Sequence, residues 1–192
     1  MTGSGAQREL PPWGCVHGRF QPFHKGHLEY VLRAYGRCER LIVGITAPDP
    51  GAIRREAANP HRHEPASNPF TFFERLLMIR DTLLAEGLDP RCFALVPFPI
   101  HEPGLIDHYV PEGTVHFVRV YSRWEEEKVG RLRDGGAIVE ILAPREEKGI
   151  SGAEVRHRLR EGLPWENLVP PATVKIIRRI LAEDPSRLSK PA

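Results

Sequence analysis

The chain has 192 residues, with 27 Lys+Arg against 25 Asp+Glu and a formal net charge of +2, a length that suits one α/β domain with a sizeable core. So even a charge balance gives no global ground for a nucleic-acid partner, and any anion site has to be local. Three well-separated cysteines (Cys15, Cys38 and Cys92) without a CxxC pair, a polar N-terminus and no apolar run near the ~18 residues of a membrane span indicate reduced thiols, a cytoplasmic protein and no membrane partner or signal peptide.

Residues 1–11 read as a flexible tail, 12–183 as a single domain and 184–192 as a second tail. The apolar run at 13–17 predicts the first strand, and the spacing of apolar residues in LEYVLRAY predicts a helix over 25–36. Branched apolar residues in LIVGI, at 41–45, mark a strand buried on both faces, and the β-α-β unit so formed has a right-handed crossover. The segment 48–67, rich in Pro, Arg, His and Glu, is too long for a passive connection and reads as a lid or binding loop. Its run His61-Arg62-His63-Glu64 has metal-ligand residue types, but no further ligand follows at a zinc-like spacing, and no metal site is assigned.

Asn68 and Pro69 are suited to open the second helix as N-cap and first helical residue. A slightly later start would instead make a capping box of Thr71 and Glu74. Phe72, Phe73, Leu76, Leu77, Ile79 and Leu83 give that helix a broad apolar face, and Gly87 ends it. Further strands are predicted at 93–96, 114–120 and 137–142, with a turn of helix at 105–109 and a charged helix at 123–132. Another helix opens at Ser151, and a final amphipathic helix spans 172–182. Strands alternating with helices predict a doubly wound parallel sheet of about five strands, with ligands at the carboxyl ends of the strands.

Two stretches carry chemistry. In GRFQPFHKGH, at 18–27, a strand hands over to a helix, and a spacing of three puts His24 and His27 on one face of the first helical turn. That turn also offers unpaired backbone N–H groups and the positive end of the helix dipole, a ready seat for phosphate, and Gly18 and Gly26 admit a bulky anion close to the backbone. In ISGAEVR, at 150–156, Ser151 and Glu154 have capping-box spacing, so this stretch can also be read as an ordinary helix start.

The ten residues of the first stretch resemble the HxGH signature of the nucleotidyltransferases related to class I aminoacyl-tRNA synthetases, and are most similar to the archaeal-type nicotinamide-nucleotide adenylyltransferases. NPFT at 68–71 with Glu74 and Arg75, and GLPW at 162–165 followed by VPP at 169–171, match the same pattern, so the resemblance covers most of residues 13–181. It implies a Rossmann-like nucleotidyltransferase fold. It also implies transfer of a nucleoside monophosphate from an NTP to a phosphate monoester with release of pyrophosphate, most simply from ATP to nicotinamide mononucleotide (NMN), giving NAD. Such an acceptor is already nucleophilic at neutral pH, so the reaction needs positioning and cationic stabilisation more than a general base.

By the same resemblance His24, His27 and Arg156 are the catalytic residues, with the second stretch as the family's second motif. Gly18, Arg19, Phe20, Gln21, Gly26, Ser151, Gly152 and Ala153 bind the nucleotide, with Ser151 and its helix N-terminus on the β- and γ-phosphates. Arg19 also meets the phosphate of the acceptor, while Lys25 reads as a helix-surface lysine. Mg²⁺ is the implied cofactor, held mainly by phosphates and water, so no protein metal ligand is assigned. The implied partners are ATP or another NTP and a small phosphorylated acceptor, and relatives that assemble through this domain leave a homo-oligomer open.

The departures concern the acceptor. The nicotinamide enzymes carry a stacking tryptophan after the third strand, where this chain reads PIHEPGLIDHY at 99–109 and leaves His108 or Tyr109 to stack. Arg123-Trp124 stands after Tyr121-Ser122 where the family usually has Gly-Asn, and Ala153 stands where Ser or Thr is common. His108, Tyr109, Arg123 and Trp124 therefore join Arg19 as expected acceptor-binding residues. Two alternatives stay open: CTP-dependent transfer to a small phosphate or phosphonate, and a non-catalytic nucleotide sensor, against which the intact His24, His27 and Arg156 count.

Overall fold

A computed structural model of the chain describes residues 9–49, 64–143 and 149–188. Five strands, β1 (Trp13–Gly18), β2 (Arg40–Thr46), β3 (Phe93–Phe98), β4 (Val115–Val118) and β5 (Ile138–Ile141), form one parallel sheet in the order β3-β2-β1-β4-β5. The helices are α1 (Lys25–Tyr35), α2 (Phe72–Ala85), α3 (Arg123–Asp134), α4 (Gly152–Glu161) and α5 (Pro171–Glu183). This is the expected doubly wound architecture. The chain builds outward from β1 to β3, then returns to lay β4 on the other side of β1. The reversal between β1 and β4 opens a crevice at their carboxyl ends, where sheets of this kind bind ligands.

Strand alternation divides the core in two. Val16, Leu41, Val43, Ile45 and Phe117 pack with Val31 of α1, Ile79 of α2, Val155 of α4 and Ile177 of α5. Their neighbours Cys15, Ile42, Phe98 and Val118 pack with Val129 and Leu132 of α3 and with Ile106 of the 3-10 turn Pro103–His108. With side chains alternating between faces, a sheet buried on both sides needs apolar residues at nearly every position, which is why its strands read as continuous apolar runs.

The second helix starts later than Asn68-Pro69. The side chain of Thr71 accepts from the Glu74 N–H at 3.2 Å, and Glu74 Oε2 accepts from the Thr71 N–H at 2.7 Å, so the capping box sets the start at Phe72. Asn68 is used elsewhere: its Oδ1 accepts from Arg19 Nη1 at 3.1 Å, and its Nδ2 donates to the Glu64 carbonyl at 3.1 Å.

Residues 184–188, assigned from sequence to a tail, dock instead. Within the 3-10 turn Pro185–Leu188, Leu188 is buried and Arg187 pairs with Glu74 at 2.9 Å and donates to the Pro69 carbonyl. Near the start, the Pro11 carbonyl accepts from the Glu39 N–H at 3.0 Å. Residues 1–8, most of the 48–67 segment with His61, Arg62 and His63, and residues 189–192 lie outside the described residues. Among the described residues no helix is long and apolar enough to cross a membrane.

Candidate active site

The turn between β1 and α1 is locked by its two histidines. His24 is the N-cap of α1: its Nδ1 accepts from the His27 N–H, and the Nδ1 of His27 accepts from the His24 N–H, both at 3.3 Å. The result is a capping box made of two imidazoles, stacked with centroids 3.6 Å apart. With Nδ1 acting as acceptor in each, the neutral rings carry their protons on Nε2, so each is set as a donor for a phosphate oxygen. Phe20 meets His27 edge-on at 5.0 Å, and Phe23 stacks against it at 5.9 Å. Phe20 holds a left-handed backbone, φ 54°, unusual for a bulky residue and maintained by the full burial of its ring.

The second half comes from α4. Ser151 Oγ accepts from the Glu154 N–H at 3.1 Å, while the Glu154 carboxylate pairs with Arg158 at 2.6 Å instead of returning to Ser151, so only half of the capping box forms. One turn on, Arg156 Nη1 donates to the Gln21 carbonyl at 2.7 Å. Gly152 lies at this junction, where a Cβ would stand 2.8 Å from that carbonyl oxygen and 3.2 Å from Arg156 Nη1. Glycine is what lets the two halves meet.

Together they enclose a cavity of about 710 Å³ at the carboxyl ends of β1 and β4. His24, His27, Arg156, Gly18, Arg19, Phe20, Gln21, Gly26, Ser151, Gly152 and Ala153 all line it, as does Trp124. The N-terminus of α4 thus adds backbone donors and the positive end of a helix dipole to the same space. The side chain of Gln21 has a supporting part. Its amide donates to the Phe70 carbonyl at 2.7 Å and accepts from the Phe70 N–H at 3.0 Å, stapling the turn to the approach of α2. Arg75, only 2% exposed, donates to the carbonyls of Thr71, Arg19, Thr46 and Ala47. Burial pulls its pKa down to about 10, so it remains a cation at neutral pH.

Three expected acceptor residues are not brought to the cavity. In the 99–109 segment Ile106 and the following Val110 take the buried positions, which turns His108 and Tyr109 outward. Arg123, the first residue of α3, points into solvent and pairs with Glu127 at 3.2 Å.

The structure also adds residues that the sequence did not single out. Arg119, just past β4, pairs with Glu29 at 3.0 Å, donates to the Gly26 carbonyl at 3.3 Å and lies over the Tyr30 ring at 5.1 Å. His17 and Lys128 also line the cavity, and both are buried. The His17 ring stacks on Phe98 at 4.4 Å and faces His116 at 5.6 Å. Burial, with the charges of Lys128 and His116, holds His17 well below the usual histidine range; burial and Lys128 push His116 down to about 4. The signals were present but faint: a histidine at the carboxyl end of an apolar strand, and Trp124 and Lys128 four apart on one helix face.

The sequence profile of a family described as cytidylyltransferase-like matches residues 15–158. A phosphonoformate cytidylyltransferase from Streptomyces viridochromogenes is 44% identical over 165 residues, covering 86% of this chain and 90% of that protein. A nicotinamide-nucleotide adenylyltransferase from Methanosarcina barkeri is 32% identical over 163 residues, covering 85% of this chain and 86% of that protein. Among solved structures, a bifunctional NMN adenylyltransferase/ADP ribose pyrophosphatase from Francisella tularensis shares the fold, with a TM-score of 0.67 at 16% identity over 90% of this chain. This chain spans 50% of that protein's length.

Proposed function

The chain belongs to the cytidylyltransferase-like family and is a nucleotidyltransferase; from that premise we propose that it transfers CMP from CTP to a small phosphonate, with release of pyrophosphate. One observation carries the choice of substrates: the 44% identity to a phosphonoformate cytidylyltransferase across nearly the whole of both chains, against 32% to the nicotinamide enzyme. The geometry supports the same reading. His108 and Tyr109, the rings that were to stack on a nicotinamide, face solvent outside the cavity.

In this reading a phosphonate oxygen attacks the α-phosphorus of CTP. A P–O bond forms to the acceptor, the bond from the α-phosphorus to the bridging β-oxygen breaks, and its electron pair leaves with pyrophosphate. No proton has to be removed from the nucleophile. The Nε2–H groups of His24 and His27, the N-terminus of α4 and Arg156 hold the triphosphate and answer the charge that builds on the leaving group. Arg19, anchored by Asn68, borders the same space for the acceptor.

Among the described residues no group of three or more His, Cys, Asp or Glu side chains is placed to hold a metal ion; of the two carboxylates that line the cavity, Glu29 is paired with Arg119 and Glu125 accepts from the Ser122 hydroxyl. That lining fits a Mg²⁺ that arrives on the triphosphate and keeps its waters, supplying neutralisation of phosphate charge when bound.

Nicotinamide-nucleotide adenylyl transfer is the second reading, favoured by the 32% relative and the first motif. Pyrophosphate release with each of the four NTPs, against phosphonoformate and against NMN, separates them. CTP-dependent turnover with phosphonoformate is expected; turnover confined to ATP and NMN would replace the proposal with the second reading.

A further inference from the structure

His17 is a polar side chain left unsatisfied by the fold. It is 2% exposed, lines the cavity, and neither ring nitrogen has a hydrogen-bond partner among the described residues. A buried polar group in that condition costs stability unless something answers it. The ring is held flat against Phe98, interplanar angle 8°, and Gly44 makes room, since a Cβ there would stand 2.7 Å from the Phe98 ring.

Lys128 reaches the same wall from α3. Its Nζ donates to the His17 carbonyl at 3.1 Å and lies 5.6 Å from the centre of the Trp124 ring, which lines the cavity beside it. The Lys128 ammonium is thus held in the cavity wall, where an acidic group of a ligand can reach it. An ammonium next to a neutral imidazole combines charge with a directed N–H, the donor set that recognises a carboxylate or a phosphonate. This wall is built by β1 and α3, whereas His24, His27, Ser151 and Arg156 come from the β1–α1 turn and α4.

We infer that Lys128 and His17 seat a second acidic group of the acceptor, so that the enzyme takes small phosphonates or phosphates carrying a carboxylate or another acid next to the attacking group. The inference rests on the reading above, in which a phosphonate oxygen attacks CTP. No bond to the second acid forms or breaks; its capture orients the attacking oxygen toward the α-phosphorus.

Phosphonoformate and methylphosphonate test this, because they offer the same attacking group with a carboxylate or a methyl beside it. With wild-type enzyme and CTP, kcat/KM is expected to be about 100-fold or more higher for phosphonoformate. In Lys128→Met that ratio collapses toward one, chiefly through a rise in KM for phosphonoformate, and Lys128→Arg restores part of it. A purely structural role for Lys128 would lower turnover of both acceptors by the same factor and overturn the inference. Equal wild-type kcat/KM for the two acceptors would overturn it too, and that comparison holds even if the methionine variant does not fold. Indiscriminate use of both phosphonates with CTP sinks only this inference. Turnover with ATP and NMN and with neither phosphonate sinks the reading beneath it as well.

Discussion

Arg156 donates from Nη1 to the main-chain carbonyl of Gln21 at 2.7 Å, across 135 residues of sequence, so the cation of one motif is fastened to the backbone of the other. The guanidinium has five N–H donors in a fixed fork, enough to grip the turn and still face phosphate. Arg156→Ala is expected to cut turnover by at least ~100-fold and to remove about 1.5–3 kcal/mol of stability, seen as a fall of several degrees in Tm. Arg156→Lys keeps the charge without the fork, and is expected to recover stability better than kcat. A lysine variant with wild-type kcat would show that charge alone suffices.

The reciprocal capping of His24 and His27 separates two roles that one substitution can split. Asparagine is a good N-cap but offers no imidazole Nε2–H. His24→Asn should therefore melt close to wild type, whereas His24→Ala loses about 1 kcal/mol of helix capping. Both should lose at least ~100-fold in turnover, as should His27→Ala. Pyrophosphate-release kinetics beside thermal melts make the comparison. Near-wild-type turnover in His27→Ala would remove that ring from the mechanism.

Gly152 has no room for a methyl group. A Cβ would press on the Gln21 carbonyl oxygen at 2.8 Å, a backbone atom that cannot swing aside. Gly152→Ala is expected to push α4 off the turn, lowering stability by about 1–3 kcal/mol and raising KM for the nucleotide. A variant that melts and binds CTP as wild type does would mean that the two halves need not touch.

The buried histidines make stability sensitive to mild acid. In the unfolded chain their rings titrate near the ordinary value of about 6.5. Folded, His116 stays neutral down to about 4, and His17 is shifted in the same direction. Between those values the unfolded chain binds protons that the native state does not, so the stability is full above about pH 6.5 and is lost as pH falls toward 4. His116 alone accounts for roughly 3 kcal/mol over that interval. Urea unfolding at about pH 7, 6 and 5 should show a shallower loss for His116→Gln than for wild type. Parallel curves would contradict the assignment.

Much of the site was legible because its two motifs are local. His24 and His27 lie within one helical turn, as do Ser151, Gly152 and Ala153, so spacing alone brings each group together. The fourth strand shows where such reasoning stops. It reads as 114–120 but pairs only over Val115–Val118, because Arg119 leaves the sheet to reach Gly26 and Glu29 on α1. Likewise Asn68 has a good capping side chain, yet long-range bonding to Arg19 claims it and the start of α2 passes to Thr71.

The sequence by itself determined the parallel sheet, the two-histidine β1–α1 turn and the nucleotidyltransferase family, since apolar period and contiguous motifs act over a few residues. Only the tertiary structure decided which further side chains line the cavity. Lys128 meets His17 across 111 positions, and His108, Tyr109 and Arg123 are turned out to solvent. Those outcomes depend on which side chains the packing of α3 and the 99–109 segment buries. Burial is settled by the whole core at once, and no local spacing encodes it.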